Sequence, residues 1–206
     1  RSYGFDGENS YFGELASFPH NTEIPVVLHF STGSPKIDVP TMPDNRSFQH
    51  TYHYSLSSLP DSDFKPRVAD DRVGHFLTMY QDYTSVLKDD PYTRYVIRWH
   101  LEKAEPKFKL SPPKEPIVYW LENTVPVEYR AAVTEGILLW NKAFERIGIK
   151  DAIVVKQQPD DADWNAGDVR YSTVRWMVQP GQAYAVGPSR ANPYTGEIFD
   201  ADIRIS

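Results

Sequence analysis

Six histidines and three acidic doublets are the side chains here best suited to acid–base or metal chemistry. Of the histidines, only His50 and His53 lie close together, as H-x-x-H. On a strand that odd spacing puts them on opposite faces, so they do not share a metal. The doublets Asp70-Asp71, Asp89-Asp90 and Asp160-Asp161 stand near Pro or Gly, and read as solvated turn residues. Asp200 and Asp202 differ: at i, i+2 on a strand they share one face, where carboxylate oxygens can converge. The plainer alternative is the solvated face of an amphipathic strand. There is no HExxH, GxSxG, phosphate-cradling loop or dinucleotide fingerprint. With no cysteine, thiolate zinc sites, disulfides and a Cys nucleophile are excluded as well. The chain holds no complete catalytic constellation.

The residues Ala183-Tyr-Ala-Val186 offer a different chemistry, that of the backbone. They form a short apolar run closed by Gly187-Pro188, a turn signal. Asn192-Pro-Tyr-Thr-Gly196 makes a second turn, and Ile198 to Ile205 then alternate in polarity. The expected arrangement is a short strand, a looped connection and one longer strand with a buried face. The sequence stops inside that strand and begins with Arg1, so the natural protein is expected to continue past both ends.

The elements that must position these residues follow from periodicity. A short helix is expected within 10–18, a strand over 24–30 with Pro25 at its start or on an edge, and a strand over 48–59 pairing antiparallel with it. Tyr92 to Glu102 reads as a third strand. Lys103 to Pro116, rich in Lys, Pro and Glu, is the expected boundary, giving a β-rich domain over 1–111 and a second domain over 112–206. In the second, 117–121 is a strand. One long helix covers 126–147, its stripe running through Tyr129, Val133, Ile137, Trp140, Phe144 and Ile147, with Gly148 as its stop. Strands are expected at 152–156 and 169–178, separated by an acidic loop. The fold class is α+β: a β-rich region followed by a twisted mixed sheet with one long helix.

Composition narrows the partners. A formal net charge of −6 disfavours nucleic acid, whose phosphates select basic surface. No apolar run approaches the roughly 18 residues of a membrane helix.

Strand Ile117–Leu121, the helix with its Leu-Trp-Asn-Lys-Ala-Phe, the following strands, and Ala-Tyr-Ala-Val-Gly-Pro … Gly-Glu-Ile-Phe-Asp-Ala-Asp-Ile together resemble the N-terminal subdomain of metzincin zinc endopeptidases. Asp70-Asp-Arg-Val-Gly-His-Phe76, Tyr95 to Lys103 and Pro116-Ile-Val-Tyr extend the resemblance. They make the chain similar to large bacterial zinc-dependent metalloproteases whose upstream region is a domain of unknown function. The resemblance implies a secreted or envelope protein that hydrolyses peptide bonds with zinc-activated water. The HExxH helix is missing, so the zinc ligands and general base would lie outside this chain, and the chain alone would be inactive. It would pack against the remainder of the protease domain.

From the same resemblance, Ala183, Tyr184, Ala185 and Val186 match the edge strand along which an extended peptide substrate lies. Asp200 and Asp202 match acidic positions that help bind calcium in some relatives. Asp70 and Asp71 loosely match the Pro-Arg-Cys-Gly latency switch of matrix metalloproteinase propeptides, with Val73 at the cysteine position. Two rival readings stand beside this one. One is a non-catalytic module binding polysaccharide or protein through coplanar exposed aromatics; the other is an inhibitory or folding-assistant propiece.

Overall fold

Strands dominate, as the aromatic and β-branched content of the sequence leads one to expect, and helices are few. The computed structural model describes residues 3–36, 38–84, 87, 89–179, 181 and 183–206. The chain divides into two units, Arg1–Ser58 and Leu59–Ser206.

The first unit is a four-stranded antiparallel sheet of β1 (Gly4–Phe12), β2 (Ala16–Ser17), β3 (Asn21–Ser31) and β4 (Ser47–Ser57). β3 is central. β4 runs along all of it on one side, with β1 and then β2 on the other. The helix expected within 10–18 does not form. Tyr11 and Phe12 instead stand opposite Val27 and Val26, and such aromatic–β-branched cross-strand pairs favour the sheet. Pro25 is not at a start or an edge but within the central strand. It faces the step from β1 to β2, where the Gly13 N–H donates to the Pro25 carbonyl at 2.8 Å and no donor is asked of Pro25. The strand pair expected over 24–30 and 48–59 is present as β3 and β4.

The second unit opens with a hairpin, β5 (Leu77–Gln81) and β6 (Tyr92–Val96). β7 (Arg98–Trp99) follows, then β8 (Ile117–Leu121), α1 (Val127–Leu138), α2 (Asn141–Arg146), β9 (Ile153–Gln157) and β10 (Thr173–Trp176). The chain ends with β11 (Ala185–Val186), β12 (Ser189–Ala191), β13 (Glu197–Ala201) and β14 (Ile203–Ile205). Five strands form a mixed sheet in the order β11-β14-β10-β8-β9, in which only β11 is antiparallel to its neighbour. A smaller sheet has the order β12-β13-β7. Leu121 and Val174 of the five-stranded sheet and Val125 after β8 are among the fully buried side chains. The fold class is therefore a β-rich α+β fold with mixed sheets.

Three expected elements are broken, the two strands by a backbone N–H bonded to another segment and the helix by a tightened turn. The strand over 92–102 splits because the Ile97 N–H goes to the Phe76 carbonyl at 2.8 Å while the Arg98 N–H goes to Gly196 at 2.9 Å, on another sheet. The helix splits at Leu139–Trp140, where i→i−3 bonds from Trp140 and Lys142 tighten one turn. Only Val133, Ile137 and Phe144 of its apolar stripe are half-buried; Tyr129, Trp140 and Ile147 are exposed. The final strand splits at Asp202, whose N–H turns to the Pro188 carbonyl at 3.2 Å. The expected loop before it contains β12, which pairs back on β13 as a hairpin. The composition boundary near 111 does not coincide with the packing division after Ser58, because β7 pairs in parallel with β13.

Gly196 holds that last connection. Its φ is +80°, and a Cβ there would lie 2.5 Å from the Val96 carbonyl oxygen. Gly196→Ala should therefore destabilise the chain by about 1–3 kcal/mol, read as a lowered midpoint in urea unfolding. An unchanged midpoint would mean that the Val96 contact is not held in solution.

Candidate functional site

The run Ala183–Val186 is ordered as an edge by its neighbours. β14 carries it, with Ala185 opposite Ile205 and Val186 opposite Arg204. The Ser206 N–H donates to the Tyr184 carbonyl at 2.8 Å, so Tyr184 and Ser206 form a hydrogen-bonded pair. Antiparallel pairs alternate, which makes Ala185–Ile205 the non-bonded pair. The Ile205 carbonyl agrees with this, since it accepts from the Met177 N–H at 2.7 Å on the opposite side. The N–H and C=O of Ala185 thus point away from the sheet. Among the expected residues only Ala185 and Val186 lie in a regular strand; Ala183 and Tyr184 continue it irregularly.

The opposite edge of this sheet is treated differently. Ile117 donates to the Ala152 carbonyl, so the main chain of Ile153 faces outward. There the Asn141 amide meets it in both directions, Nδ2 donating to the Ile153 carbonyl at 2.9 Å and Oδ1 accepting from its N–H at 2.8 Å. Asn141 stands in for a further strand and blunts that edge. Sequence reasoning missed it because nothing in a helical stripe marks an amide aimed at a strand.

Asp200 and Asp202 sit on either side of the switch between the two sheets. Asp200 is buried, accepting from Ser172 Oγ at 3.3 Å and pairing with Arg190 Nε at 3.2 Å. Asp202 accepts from Thr173 N–H at 3.1 Å and from Thr173 Oγ1 at 2.7 Å. They are therefore not two ligands on a solvated strand face. Both are engaged by protein donors, and Arg190 supplies the cation, so calcium would have to compete with it. Arg190 is missing from the sequence reading. The turn Asn192–Gly196 could have found it, since a hairpin about that turn sets Arg190 opposite Asp200.

Burial, reinforced by the Asp202 charge, pushes the Asp200 carboxyl up to about 7, against the pull of Arg190 and Ser172. Asp70 and Asp71 lie in an exposed turn. Asp70 makes a bidentate pair with Arg72, Nε to Oδ1 at 2.8 Å and Nη2 to Oδ2 at 2.5 Å, which holds its carboxyl down at about 2. That carboxylate is occupied by a neighbour two residues away, as in an ordinary Asp–Arg turn.

A cavity of about 650 Å³ lies between the 60–63 loop, the start of β8 and β13. Ser62 Oγ donates to Glu197 Oε1 at 2.8 Å, and His100 Nδ1 is 3.2 Å from the same oxygen. His100 Nε2 stands 3.6 Å from Glu102 and 3.8 Å from Asp63. Ser62 Oγ stands 3.4 Å from Nδ1 but gives its proton to Glu197, and the acids beside Nε2 lie beyond hydrogen-bond distance, so the hydroxyl is not bonded to a base that an acid orients. The recess does not form a nucleophilic triad. Among the described residues no group of three or more His, Asp or Glu side chains could hold a metal ion, and no helix is long and apolar enough to cross a membrane.

Residues 2–104 match the family described as a domain of unknown function (DUF5117). The matched segment runs from the first unit through β5, β6 and β7 of the second. No curated protein and no solved structure matches the chain.

The raised Asp200 carboxyl gives a signed pH effect. From the usual value near 3.8 up to about 7, the folded chain keeps a proton there that the unfolded chain has released. Its contribution is full below that window and lost as pH rises through it, on the order of 2–4 kcal/mol. Urea unfolding between about pH 4 and 8 should show this downward component, and Asp200→Asn should flatten the slope whatever its effect on absolute stability. Identical slopes for the two proteins would remove the assignment.

Proposed function

The chain belongs to the DUF5117 family, a domain of unknown function, and from that premise we propose that its second half presents a peptide-binding sheet edge as the N-terminal part of a zinc endopeptidase. The observation that carries this reading is Ala185, whose N–H and C=O face outward from the only antiparallel strand of an otherwise parallel sheet. An extended peptide laid along β11 would complete those bonds, each contributing a net ~0.5–1.5 kcal/mol. The small side chains of Ala183 and Ala185 let a second backbone approach.

Three features support the choice. The sheet order places β11 at one border and β9 at the other, and Asn141 blunts β9. β8, the helical segment, β9, β10 and the short antiparallel β11 follow one another in the order the resemblance implies, with the β12–β13 hairpin interposed before β14. Arg190 and Asp202 fix the turn leaving β11, through the Asp200 pair and the Pro188 carbonyl, so the edge is held by these two acids. In this reading the zinc and its ligands belong to residues outside the chain, and calcium and the Asp70–Asp71 switch stay secondary. The rival of a polysaccharide platform needs coplanar rings. Tyr3–Phe48, Phe5–Phe30 and His50–Tyr52 are inclined at 62–72°, and the nearly parallel pairs Tyr129–Trp176 and Trp164–Tyr171 are stacked on each other at 5.1 and 4.1 Å, covering ring faces instead of laying them side by side.

Ala185→Pro removes an outward donor and no sheet bond, so the chain should melt as before. In a longer protein carrying this chain and the zinc helix, loss of that one bond should lower peptide-cleavage efficiency by roughly 2- to 13-fold. Ile203→Pro should unfold the chain instead, because Ile203 pairs with the fully buried Val174 in the sheet interior. The isolated chain should take up no stoichiometric zinc after dialysis against a weak chelator. Full cleavage activity with Ala185→Pro would exclude β11 as the substrate edge.

A further inference from the structure

Strand β4 is an edge of another kind. It spans 11 residues, Ser47–Ser57, and pairs residue for residue with β3 and, among the described residues, with no other strand. The Thr32 N–H donates to the Arg46 carbonyl at 2.8 Å, and the Ser58 N–H to the His20 carbonyl at 2.9 Å. These two bonds fix the phase: even-numbered residues of β4 spend their main-chain groups on β3, and the N–H and C=O of Gln49, Thr51 and His53 point outward. Folded monomers blunt such edges with charge, proline, a bulge or short length. β1 is bulged between Asp6 and Tyr11, β11 has two residues and β9 meets Asn141. β4 reads SFQHTYHYSLS, without Asp, Glu, Lys, Arg, Pro or Gly, and its His53 is paired within the chain with Glu23. Its aromatic face is open too, with Tyr52 44%, Tyr54 53% and Leu56 64% exposed.

We propose that β4 pairs antiparallel with β4 of a second copy of this chain across a twofold axis at Thr51. Odd residues must meet odd residues for the outward groups to bond. With Thr51 on the axis, Gln49 stands opposite the partner's His53 and Thr51 opposite the partner's Thr51. On the other face, Phe48 meets the partner's Tyr54 and His50 meets the partner's Tyr52. Each is a cross-strand pair of a favourable type, polar with polar and aromatic with aromatic. Because β4 carries no Asp, Glu, Lys or Arg, self-pairing sets no two such charges opposite one another, although the whole chain is acidic. The interface is isologous and closes at two copies. It supplies on the order of six main-chain hydrogen bonds.

Sedimentation equilibrium of the 206-residue chain tests this. The expected result is a concentration-dependent monomer–dimer equilibrium with both copies folded. Thr51→Pro removes an outward donor while leaving the bonds to β3 intact, and should weaken the dimer by roughly 10-fold or more with an unchanged circular dichroism spectrum. Should proline disturb the fold, Thr51→Lys decides: two lysines at the axis should dissociate the dimer, and added salt should partly restore it. A chain that stays monomeric at concentrations on the order of 100 µM, far into the range where weak interfaces associate, would overturn the proposal. A dimer indifferent to both substitutions would also overturn it. So would a monomeric chain that takes up an unrelated extended peptide at Thr51, which would put a foreign strand at this edge.

Discussion

Two carboxylates two residues apart carry the junction between the sheets of the second unit. Asp200 is the last but one residue of β13, tied to Arg190 and Ser172, and Asp202 lies between β13 and β14, tied to Thr173. Across them the chain leaves β13 and enters β14, so one continuous stretch of backbone serves two sheets. Were these acids absent, alternation in Ile198–Ile205 would favour a single straight strand. Burying Asp200 is costly, and the cost shows in its carboxyl standing near 7. What offsets it is position: Ser172 and Thr173 at the head of β10 and Arg190 on β12 converge on the same few ångströms.

From that junction the edge follows. β14 pairs with β10 on one side and with β11 on the other, so the direction and phase of Ala185 are inherited from Ile203–Ile205. The Pro188 carbonyl, bonded to the Asp202 N–H, fixes where the chain turns away after β11. The edge is short enough to resist pairing with other chains, yet keeps one residue with its main chain turned outward. In the proposed reading that combination suits transient strand addition by a peptide. β4 combines the opposite features, with length, no Asp, Glu, Lys or Arg, and an open aromatic face.

Much of this was legible in the sequence where one physical signal acted alone. The alternation in 24–30 and 48–59 gave β3 and β4, the apolar run 117–121 gave β8, and Gly148 gave the stop of α2, with φ at +89°. The signals failed where tertiary demands competed with periodicity. Alternation across 92–102 and 198–205 is continuous, yet single N–H groups of Ile97, Arg98 and Asp202 are claimed by other segments. Ser10–Phe18 has helix-like spacing but finds β-branched partners on β3. The outward phase of Ala185 depends on Ser206 and Met177, so no local reading of Ala183–Val186 could supply it. Arg190 was within reach through the hairpin turn, whereas Asn141 was not.

Amide hydrogen exchange at Ala185 tests the central claim most directly, because it reads the backbone group itself in the free chain. Val186 belongs to the hydrogen-bonded phase of the β11–β14 pair and Ala185 to the outward phase. The account predicts that the Ala185 amide exchanges nearly as fast as an unstructured one while the Val186 amide is protected by about 10-fold or more. Equal protection of the two amides would contradict it, since Ala185 would then have a partner and β11 would not be an open edge.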